Sequence, residues 1–235
     1  MSSATIVFVD VVGFSKRSTD AQRDLIDGLN DELVRSLRGH LAPLDGSREV
    51  VALPTGDGVA IAFLHTERRR WSFGGTIRRL LDALKRWRTG TVSRGEAAVR
   101  VGVHCGVVEL ITDLNGRVNV CGDTINRAQR VMDAADPNQV LLSDTAFSEH
   151  IGAHQSGDCE GPFEVTAKHD LQLRVYALKS GEGWSTVSPE SSRRVVLGVT
   201  KLPKQVGGPF AERLRRAQRV ALIQLTGREL LNHLR

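Results

Sequence analysis

Residues 4–15 read Ala-Thr-Ile-Val-Phe-Val-Asp-Val-Val-Gly-Phe-Ser, and they contain the first predicted strand and the turn after it. The β-branched and aromatic side chains of residues 4–9 favour an extended backbone, so they predict a strand. Asp10 follows at the end of that strand, and Gly13 lies in the turn after it. The chain therefore begins with an apolar strand that ends on a carboxylate.

A second carboxylate lies at a predicted hairpin. Residues 49–53 and 59–63 predict two strands, and the turn sequence Pro-Thr-Gly-Asp-Gly stands between them at residues 54–58. In a β-α-β-β arrangement the first strand lies beside this hairpin, so Asp10 and Asp57 can converge. Carboxylates at strand ends suit Mg²⁺, which binds one or two of them together with substrate phosphates. The alternative is that Asp10 caps the next segment and Asp57 is an ordinary turn residue.

Helices and further strands follow along the chain. Apolar residues at helical spacing predict helices over 20–40, 69–87 and 123–134. Strands are predicted over 97–110, with interruptions at Gly102 and Gly106, and over 139–142 and 171–178. The order β-α-β-β-α-β predicts an α+β, ferredoxin-like sheet with one helix-covered face, to which further strands and helices are added.

Composition limits the function classes. With 235 residues, 40% of them hydrophobic, the chain suits one sizeable domain and a short appendage. The net charge of +5 arises in residues 181–235, which hold ten Lys or Arg and four Asp or Glu. The main body is therefore near neutral and does not indicate a stable nucleic-acid partner. We predict a main domain at 1–180, a Gly/Ser/Pro linker at 181–192, and a basic tail at 193–235 that packs in a dimer or begins a second α/β unit.

Cysteine usage and hydropathy favour the cytoplasm. Cys105, Cys121 and Cys159 lack CxxC spacing, so they predict neither a disulfide framework nor a zinc motif. No run approaches 18 apolar residues, and no membrane span is predicted. A reducing cytoplasm is the expected location.

Four motifs follow one another along the chain. They are Asp10-Val-Val-Gly-Phe-Ser15, Thr55-Gly-Asp57, Arg100-Val-Gly-Val-His-Cys-Gly106 and Gly122-Asp-Thr-Ile-Asn-Arg-Ala-Gln-Arg130. Together they resemble the successive signatures of the class III adenylyl/guanylyl cyclase family, over residues 4–178. The resemblance implies an enzyme that converts a nucleoside triphosphate to a 3′,5′-cyclic nucleotide and pyrophosphate. The Walker pattern of P-loop enzymes and the Gly-Gly-(Asp/Glu)-Glu-Phe hairpin of diguanylate cyclases do not occur in the sequence.

The resemblance also implies a role for each matching residue. Asp10, Asp57 and the Val11 carbonyl match the ligands of two Mg²⁺ or Mn²⁺ ions per active site. Asn126 and Arg130, four residues apart on one face of a predicted helix, match the pair that positions the ribose and stabilises the transition state. Triphosphate binding is implied for the backbone amides of Val12, Gly13, Phe14 and Ser15, and for the side chains of Arg100 and Lys168.

Two further points follow from the resemblance. His169 replaces the glycine that usually follows the position of Lys168. In the family the metal-binding aspartates and the Asn/Arg pair come from opposite subunits. Because this chain carries both halves, the resemblance implies a head-to-tail homodimer with two active sites.

The base-binding positions depart from the family pattern. Leu53 and Asn119 stand where adenylyl members have a Lys/Asp pair and guanylyl members a Glu/Cys pair. Leucine cannot hydrogen-bond a base edge, whereas asparagine both donates and accepts. Such departures suit a smaller base or a poorly selective pocket. With them the chain resembles the Pycsar pyrimidine cyclases of bacterial anti-phage defence, which make cyclic UMP or cyclic CMP for a sensing effector. We expect UTP as the substrate, with CTP next, but Asn119 does not itself decide between uracil and cytosine because its amide can flip to suit either edge. The alternatives are a nonstandard adenylyl cyclase and a catalytically inactive regulatory module.

Other conspicuous side chains are predicted to be structural. His104, Trp71 and Trp87 fit packed positions within the fold. His150 and His154 are four residues apart, but no third ligand accompanies them, so no zinc site is predicted.

Overall fold

A computed structural model describes residues 1–38, 49–67, 70–90, 97–152, 157–167, 170–179 and 183–192. Its strands are β1 (Ser2–Val11), β2 (Val50–Pro54), β3 (Gly58–Leu64), β4 (Val99–Thr112), β5 (Val118–Cys121), β6 (Gln139–Ser143), β7 (Cys159–Thr166) and β8 (Gln172–Leu178). Its helices are α1 (Thr19–Ser36), α2 (Arg78–Gly90), α3 (Asp123–Ala134) and α4 (Asp144–His150). Within these ranges, no helix has both the length and the apolar character needed to cross a lipid bilayer. Lys168, His154 and the basic tail at 193–235 lie outside the described residues.

The strands form one sheet. Its order is β2-β3-β1-β4-β6-β8-β7, and β5 pairs with β4. β1 is antiparallel to both of its neighbours, β3 and β4, and β6 is parallel to β4. The order β1-α1-β2-β3-α2-β4 is the predicted βαββαβ unit, and the later strands and helices are added to it. The α+β class is therefore confirmed.

Helices cover both faces of β1, because successive side chains of a strand point to opposite faces. Val7 and Val9 lie in the core cluster that includes side chains of α1 and α2. Ile6 and Phe8 lie in a second cluster, which includes Met132 of α3. The prediction of one helix-covered face therefore holds for α1 and α2 of the βαββαβ unit, and it is wrong for the sheet as a whole.

Some element bounds differ from the prediction. The helix predicted over 69–87 begins only at Arg78, after a π-type turn at Phe73–Ile77, because Gly75 (φ −97°, ψ −112°) interrupts the helical backbone. β1 extends to Val11, so Asp10 lies inside the strand. Strands β5 and β7 and helix α4 were not predicted, since elements of four to eight residues offer few periods of a pattern.

β4 runs without a break through Gly102 and Gly106, although we predicted interruptions there. The two glycines let α3 lie directly on the strand. A Cβ on Gly102 would lie 2.3 Å from the Met132 amide nitrogen, and one on Gly106 would lie 2.6 Å from Thr124 Oγ1. A larger residue at either position would push the helix away. The glycines therefore set the height of α3 above the sheet, and with it the position of every side chain on that helix.

Residues 183–192 fall in the predicted linker and pack against the body of the protein. Trp184 is buried, and the Arg88 guanidinium lies 5.0 Å from its ring centroid. Gln139 donates from Nε2 to the Val187 carbonyl at 2.7 Å. The burial of Trp184 and the hydrogen bond to Val187 therefore anchor this Gly/Ser/Pro-rich stretch to the body of the protein.

Candidate active site

Asp10 and Asp57 are brought together by the pairing of β1 with β3. Asp10 lies opposite Gly58 in the register of the two strands. The Val11 N–H donates to the Asp57 carbonyl at 2.9 Å. A Cβ on Gly58 would lie 2.0 Å from the Val9 carbonyl oxygen, so only glycine permits this close approach. The two acids therefore lie side by side at one end of the sheet.

Arg100 completes a charged cluster with the two acids. The side chain of Asp10 is only 12% exposed, whereas Asp57 is exposed. Arg100 lies opposite Asp10 in the β1–β4 register and donates to Asp10 Oδ2 from Nε at 3.0 Å and from Nη2 at 2.6 Å. Burial raises the pKa of Asp10, the hydrogen bonds and charge of Arg100 oppose that rise, and the neighbouring Asp57 adds to it. A desolvated carboxylate beside a second carboxylate is an arrangement that a cation stabilises.

The acid pair fits a divalent cation. Two adjacent carboxylates supply hard oxygen ligands, and Mg²⁺ binds through one or two of these while keeping water or phosphate ligands. Among the residues that the structure describes, no three His, Cys, Asp or Glu side chains cluster as a metal site. Asp10 and Asp57 would supply two side-chain ligands, and further oxygens would come from the Val11 carbonyl, water and substrate phosphates.

The turn after β1 presents backbone amides to the same end of the sheet. Gly13 has a left-handed φ of 69°, and a 3-10 turn at Phe14–Lys16 follows it. The first amides of a helical turn have no acceptor within that turn, so they can bind an anion. The Val12 N–H, which we also predicted to bind the triphosphate, donates to the Ala98 carbonyl at 2.8 Å. The amides left for phosphate oxygens are those of Gly13, Phe14 and Ser15.

Asn126 and Arg130 lie on the outer face of α3. Ala128, midway between them, packs against Gly102, so residues two positions away on either side point off the sheet. Asn126 is exposed. Arg130 is partly buried and donates from Nη1 to Asp133 Oδ2 at 3.1 Å. Asp133 was not predicted as part of the site, although an acid three residues after a helical arginine is a recognisable pairing signal.

The acid pair and the Asn126–Arg130 face lie on different surfaces of the chain. Every second side chain of a strand lies on the same face, so Asp10 shares a face of β1 with Ile6 and Phe8. That face lies beneath α3. Asn126 and Arg130 point away from that surface.

Leu53 and Asn119 lie on strands that contact each other. Leu53 is on β2 and Asn119 on β5. Leu53 is partly buried against the cluster that contains Val120. The Val120 N–H donates to Asn119 Oδ1 at 2.7 Å. Because a backbone N–H can only donate, this bond fixes the orientation of the Asn119 amide and directs its NH₂ group elsewhere.

His104 is a packed strand residue, as predicted. It is buried, and its Nδ1 is 2.8 Å from the Ser143 hydroxyl, within a hydrogen bond. Burial and, to a lesser extent, the nearby positive charge of Arg127 together lower the pKa of His104 to about 4. The ring is therefore neutral at pH 7. Trp71 and Trp87 are buried in the core, which also agrees with the prediction.

Solved structures of nucleotide cyclases share this fold. The adenylyl cyclase CyaB from P. aeruginosa aligns with a TM-score of 0.57 at 17% identity, over 78% of this chain and 97% of that chain. The guanylate cyclase domain of RhGC from Catenaria anguillulae, in complex with GTP, aligns with a TM-score of 0.52 at 17% identity, over 75% and 96%. Adenylate cyclases from Trypanosoma brucei in their monomeric state align with a TM-score of 0.56 at 17% identity, over 80% and 94%. A comparison with curated proteins finds no match.

The family model described as the adenylate and guanylate cyclase catalytic domain matches residues 1–180. That range contains all eight strands and all four helices named above. It also contains the four sequence motifs that carry the acid pair, Arg100 and the Asn126–Arg130 pair. The chain therefore belongs to the adenylate and guanylate cyclase catalytic domain family, the class III nucleotidyl cyclases.

Proposed function

We propose that the chain is an active cyclase that converts a nucleoside triphosphate to its 3′,5′-cyclic monophosphate and pyrophosphate. The observation that carries the proposal is the side-by-side placement of Asp10 and Asp57, with Arg100 bonded to Asp10. A desolvated carboxylate beside a second one opposes folding unless a cation offsets it. A catalytically inactive regulatory module would gain nothing from keeping that arrangement together with Asn126 and Arg130.

In the proposed reaction the ribose 3′ oxygen attacks the α-phosphorus, and the proton of the 3′-hydroxyl passes to solvent water. The α–β phosphoanhydride bond breaks, and pyrophosphate leaves with the bonding electrons. Asp10, Asp57 and the Val11 carbonyl would hold two Mg²⁺ or Mn²⁺ ions, which lower the pKa of the 3′-hydroxyl and neutralise charge on the pyrophosphate. Asp10 lies within β1, so the strand pairing fixes its carboxylate before the reaction begins.

The protein's own donors then bind the triphosphate and the ribose. The amides of residues 13–15 and the Arg100 guanidinium bind phosphate oxygens, with Lys168 as a further predicted contact. Asn126 orients the ribose. Arg130 donates to the α-phosphoryl oxygens, where negative charge develops in the transition state.

We place the active site at the interface of a head-to-tail homodimer. The outward direction of Asn126 and Arg130 supports this, because those side chains face away from the surface that carries Asp10. One subunit would supply the acid pair, Arg100 and the phosphate-binding turn. The partner would supply Asn126, Arg130 and the base-binding positions, and the symmetric arrangement would give two sites.

For the base we propose uracil, with cytosine second. Leu53 offers no hydrogen bond, so Asn119 is the polar reader of the two positions. The Val120 N–H holds Asn119 Oδ1, so the NH₂ group would donate to a carbonyl oxygen of the base. Uracil presents a carbonyl at O4, where cytosine and adenine present an amino group that cannot accept. The small uracil ring also suits a pocket with one polar reader.

A cyclic pyrimidine nucleotide product would make this chain a source of second messenger in anti-phage defence, as in the Pycsar cyclases it resembles. A cytoplasmic effector that senses the cyclic nucleotide would then be its downstream partner.

The test is to incubate the purified chain with ATP, GTP, CTP or UTP, each with Mn²⁺ or Mg²⁺, and to identify products by chromatography and mass spectrometry. Each reaction is run with and without extract of phage-infected cells. We expect cyclic UMP from UTP and less cyclic CMP from CTP. Cyclic AMP as the sole product would overturn the pyrimidine assignment, and no cyclic product from any mixture would overturn the enzymatic one.

Matched variants connect the product to the proposed site. Asp57→Asn removes one carboxylate charge with little change in shape, and we expect it to abolish product formation. Asp113→Asn changes another hairpin-turn aspartate, one that accepts the N–H groups of Asn115 and Arg117. An asparagine side-chain oxygen can accept the same bonds, so Asp113→Asn should retain activity.

A further inference from the structure

We infer that Arg100 occupies the cation's place at Asp10 until a triphosphate draws it away, so that divalent cation and nucleotide bind cooperatively. This inference rests on the proposed function, because it assigns the metal and the triphosphate to the same cluster. It concerns the free chain, which must hold a desolvated carboxylate before either ligand arrives.

The geometry of the ion pair is the first step. Arg100 directs two donors, Nε and Nη2, at a single oxygen, Asp10 Oδ2, at 3.0 and 2.6 Å. Both residues stand opposite each other on adjacent strands, so the backbone holds the pair in register. An oxygen that accepts two guanidinium donors has its lone pairs engaged, and a cation must displace them to bind there.

The exposure of the two side chains shows which partner can move. The Asp10 side chain is 12% exposed and lies on a strand between two others, whereas the Arg100 side chain is 31% exposed. A long, partly exposed arginine can rotate away at little cost, whereas the aspartate cannot. A bound triphosphate would offer the Arg100 guanidinium an alternative to Asp10. Its phosphates would lie close by, since the turn after β1 presents the amides of Gly13, Phe14 and Ser15 to them.

The charges give the direction of the coupling. A divalent cation at Asp10 repels a guanidinium bound to the same oxygen, so each disfavours the other in the free chain. A triphosphate offers the guanidinium several anionic oxygens in a geometry that suits its paired donors. Binding of the nucleotide therefore frees Asp10 for the cation. By linkage, the cation raises nucleotide affinity by the same factor.

The experiment measures Mn²⁺ binding to the full chain by electron paramagnetic resonance of the free ion, first without nucleotide. It compares the wild type with Arg100→Gln, which removes the guanidinium charge. We expect Arg100→Gln to bind Mn²⁺ about fivefold to 150-fold more tightly than the wild type, the range typical of coupled sites. Equal or weaker Mn²⁺ binding by Arg100→Gln would overturn the inference.

The second arm repeats the titration with saturating 3′-deoxy-UTP, which has no 3′-hydroxyl and cannot cyclise. We expect this nucleotide to raise the Mn²⁺ affinity of the wild type more than that of Arg100→Gln. An equal gain in both proteins would also overturn the inference. The matched control is Arg174→Gln, which breaks another cross-strand arginine–carboxylate pair, that of Arg174 Nε with Glu164 at 3.1 Å. It should leave Mn²⁺ binding unchanged in both arms.

Circular dichroism establishes that each variant is folded. If Arg100→Gln does not fold, Arg100→Lys replaces it, and we expect Mn²⁺ affinity above that of the wild type because lysine presents no paired donors. The outcome is separable from the proposed function. If Arg100→Gln binds Mn²⁺ more tightly but the wild type makes no cyclic product, the coupling is supported and catalysis is overturned. If the wild type makes product but Arg100→Gln binds Mn²⁺ no more tightly, catalysis is supported and the coupling is overturned.

Discussion

Gly102 of β4 lies directly beneath Met132 of α3, so close that a Cβ on the glycine would be 2.3 Å from the methionine's amide nitrogen. This contact sets how far α3 stands from the sheet. Gly102, which has no reactive side chain, therefore determines the position of Asn126 and Arg130, which lie on α3 with Met132.

The first prediction tests this contact. Gly102→Ala should displace α3, lower the free energy of unfolding by about 1–3 kcal/mol, and reduce cyclase activity. Urea unfolding and product formation are the measurements. Gly74→Ala is the matched control, because a Cβ there meets nothing within 4 Å. Full activity in Gly102→Ala would show that the helix position tolerates adjustment.

The second prediction concerns the shared site. Asp57→Ala and Arg130→Ala should each be inactive, the latter with turnover reduced on the order of a hundredfold or more. Mixed together, they should regain activity, because one of the two sites in a mixed dimer has both intact halves. Product formation is measured after mixing, and native mass spectrometry establishes that mixed dimers form. Mixed dimers without activity would contradict the shared site.

The third prediction concerns base selection. Asn119→Asp keeps an acceptor for the Val120 N–H but replaces the remaining NH₂ donor with an acceptor oxygen. We expect the ratio of kcat/KM for UTP to that for CTP to fall by about tenfold or more, since mismatched polar groups are left unpaired. Competition assays with both nucleotides give this ratio. An unchanged ratio would show that Asn119 does not read the base.

The fourth prediction is a pH dependence of stability. Because the pKa of His104 is about 4 in the folded protein and about 6.5 when unfolded, the unfolded chain binds more protons between these values. The free energy of unfolding should therefore decrease as pH falls, and His104 contributes about 2 kcal/mol of the decrease between pH 7 and pH 5. The pKa values of His65 and His150 are also lowered by burial, so they act in the same direction.

Urea unfolding at both pH values checks the fourth prediction. His104→Asn retains a side chain that can hydrogen-bond Ser143 but does not titrate. Its stability should vary less between pH 7 and pH 5 than that of the wild type. The same dependence in both proteins would exclude His104 as a source of the effect.

Much of the fold follows from local pattern. The apolar run before Asp10, the Pro-Thr-Gly-Asp-Gly turn and the periodicity of residues 123–134 predict β1, the β2–β3 hairpin and α3, and the structure contains all three. Where the predicted elements are wrong, contacts with residues far away in the sequence determine the structure. Gly102 and Gly106 indicate strand breaks when considered alone, yet β4 continues through them because α3 occupies the space that side chains would fill.

The sequence by itself determined the apolar strand that carries Asp10 near its end, the hairpin that carries Asp57, and the spacing of Asn126 and Arg130 on one helix face. These depend on side-chain periodicity and turn residues within short segments. Only the tertiary structure decided that Arg100 bonds to Asp10, 90 residues away in sequence, that Val12 donates to Ala98, and that Asn126 and Arg130 point away from the acids. The reason is physical: strand register and helix packing join residues far apart in the chain, and no local pattern encodes which of them meet.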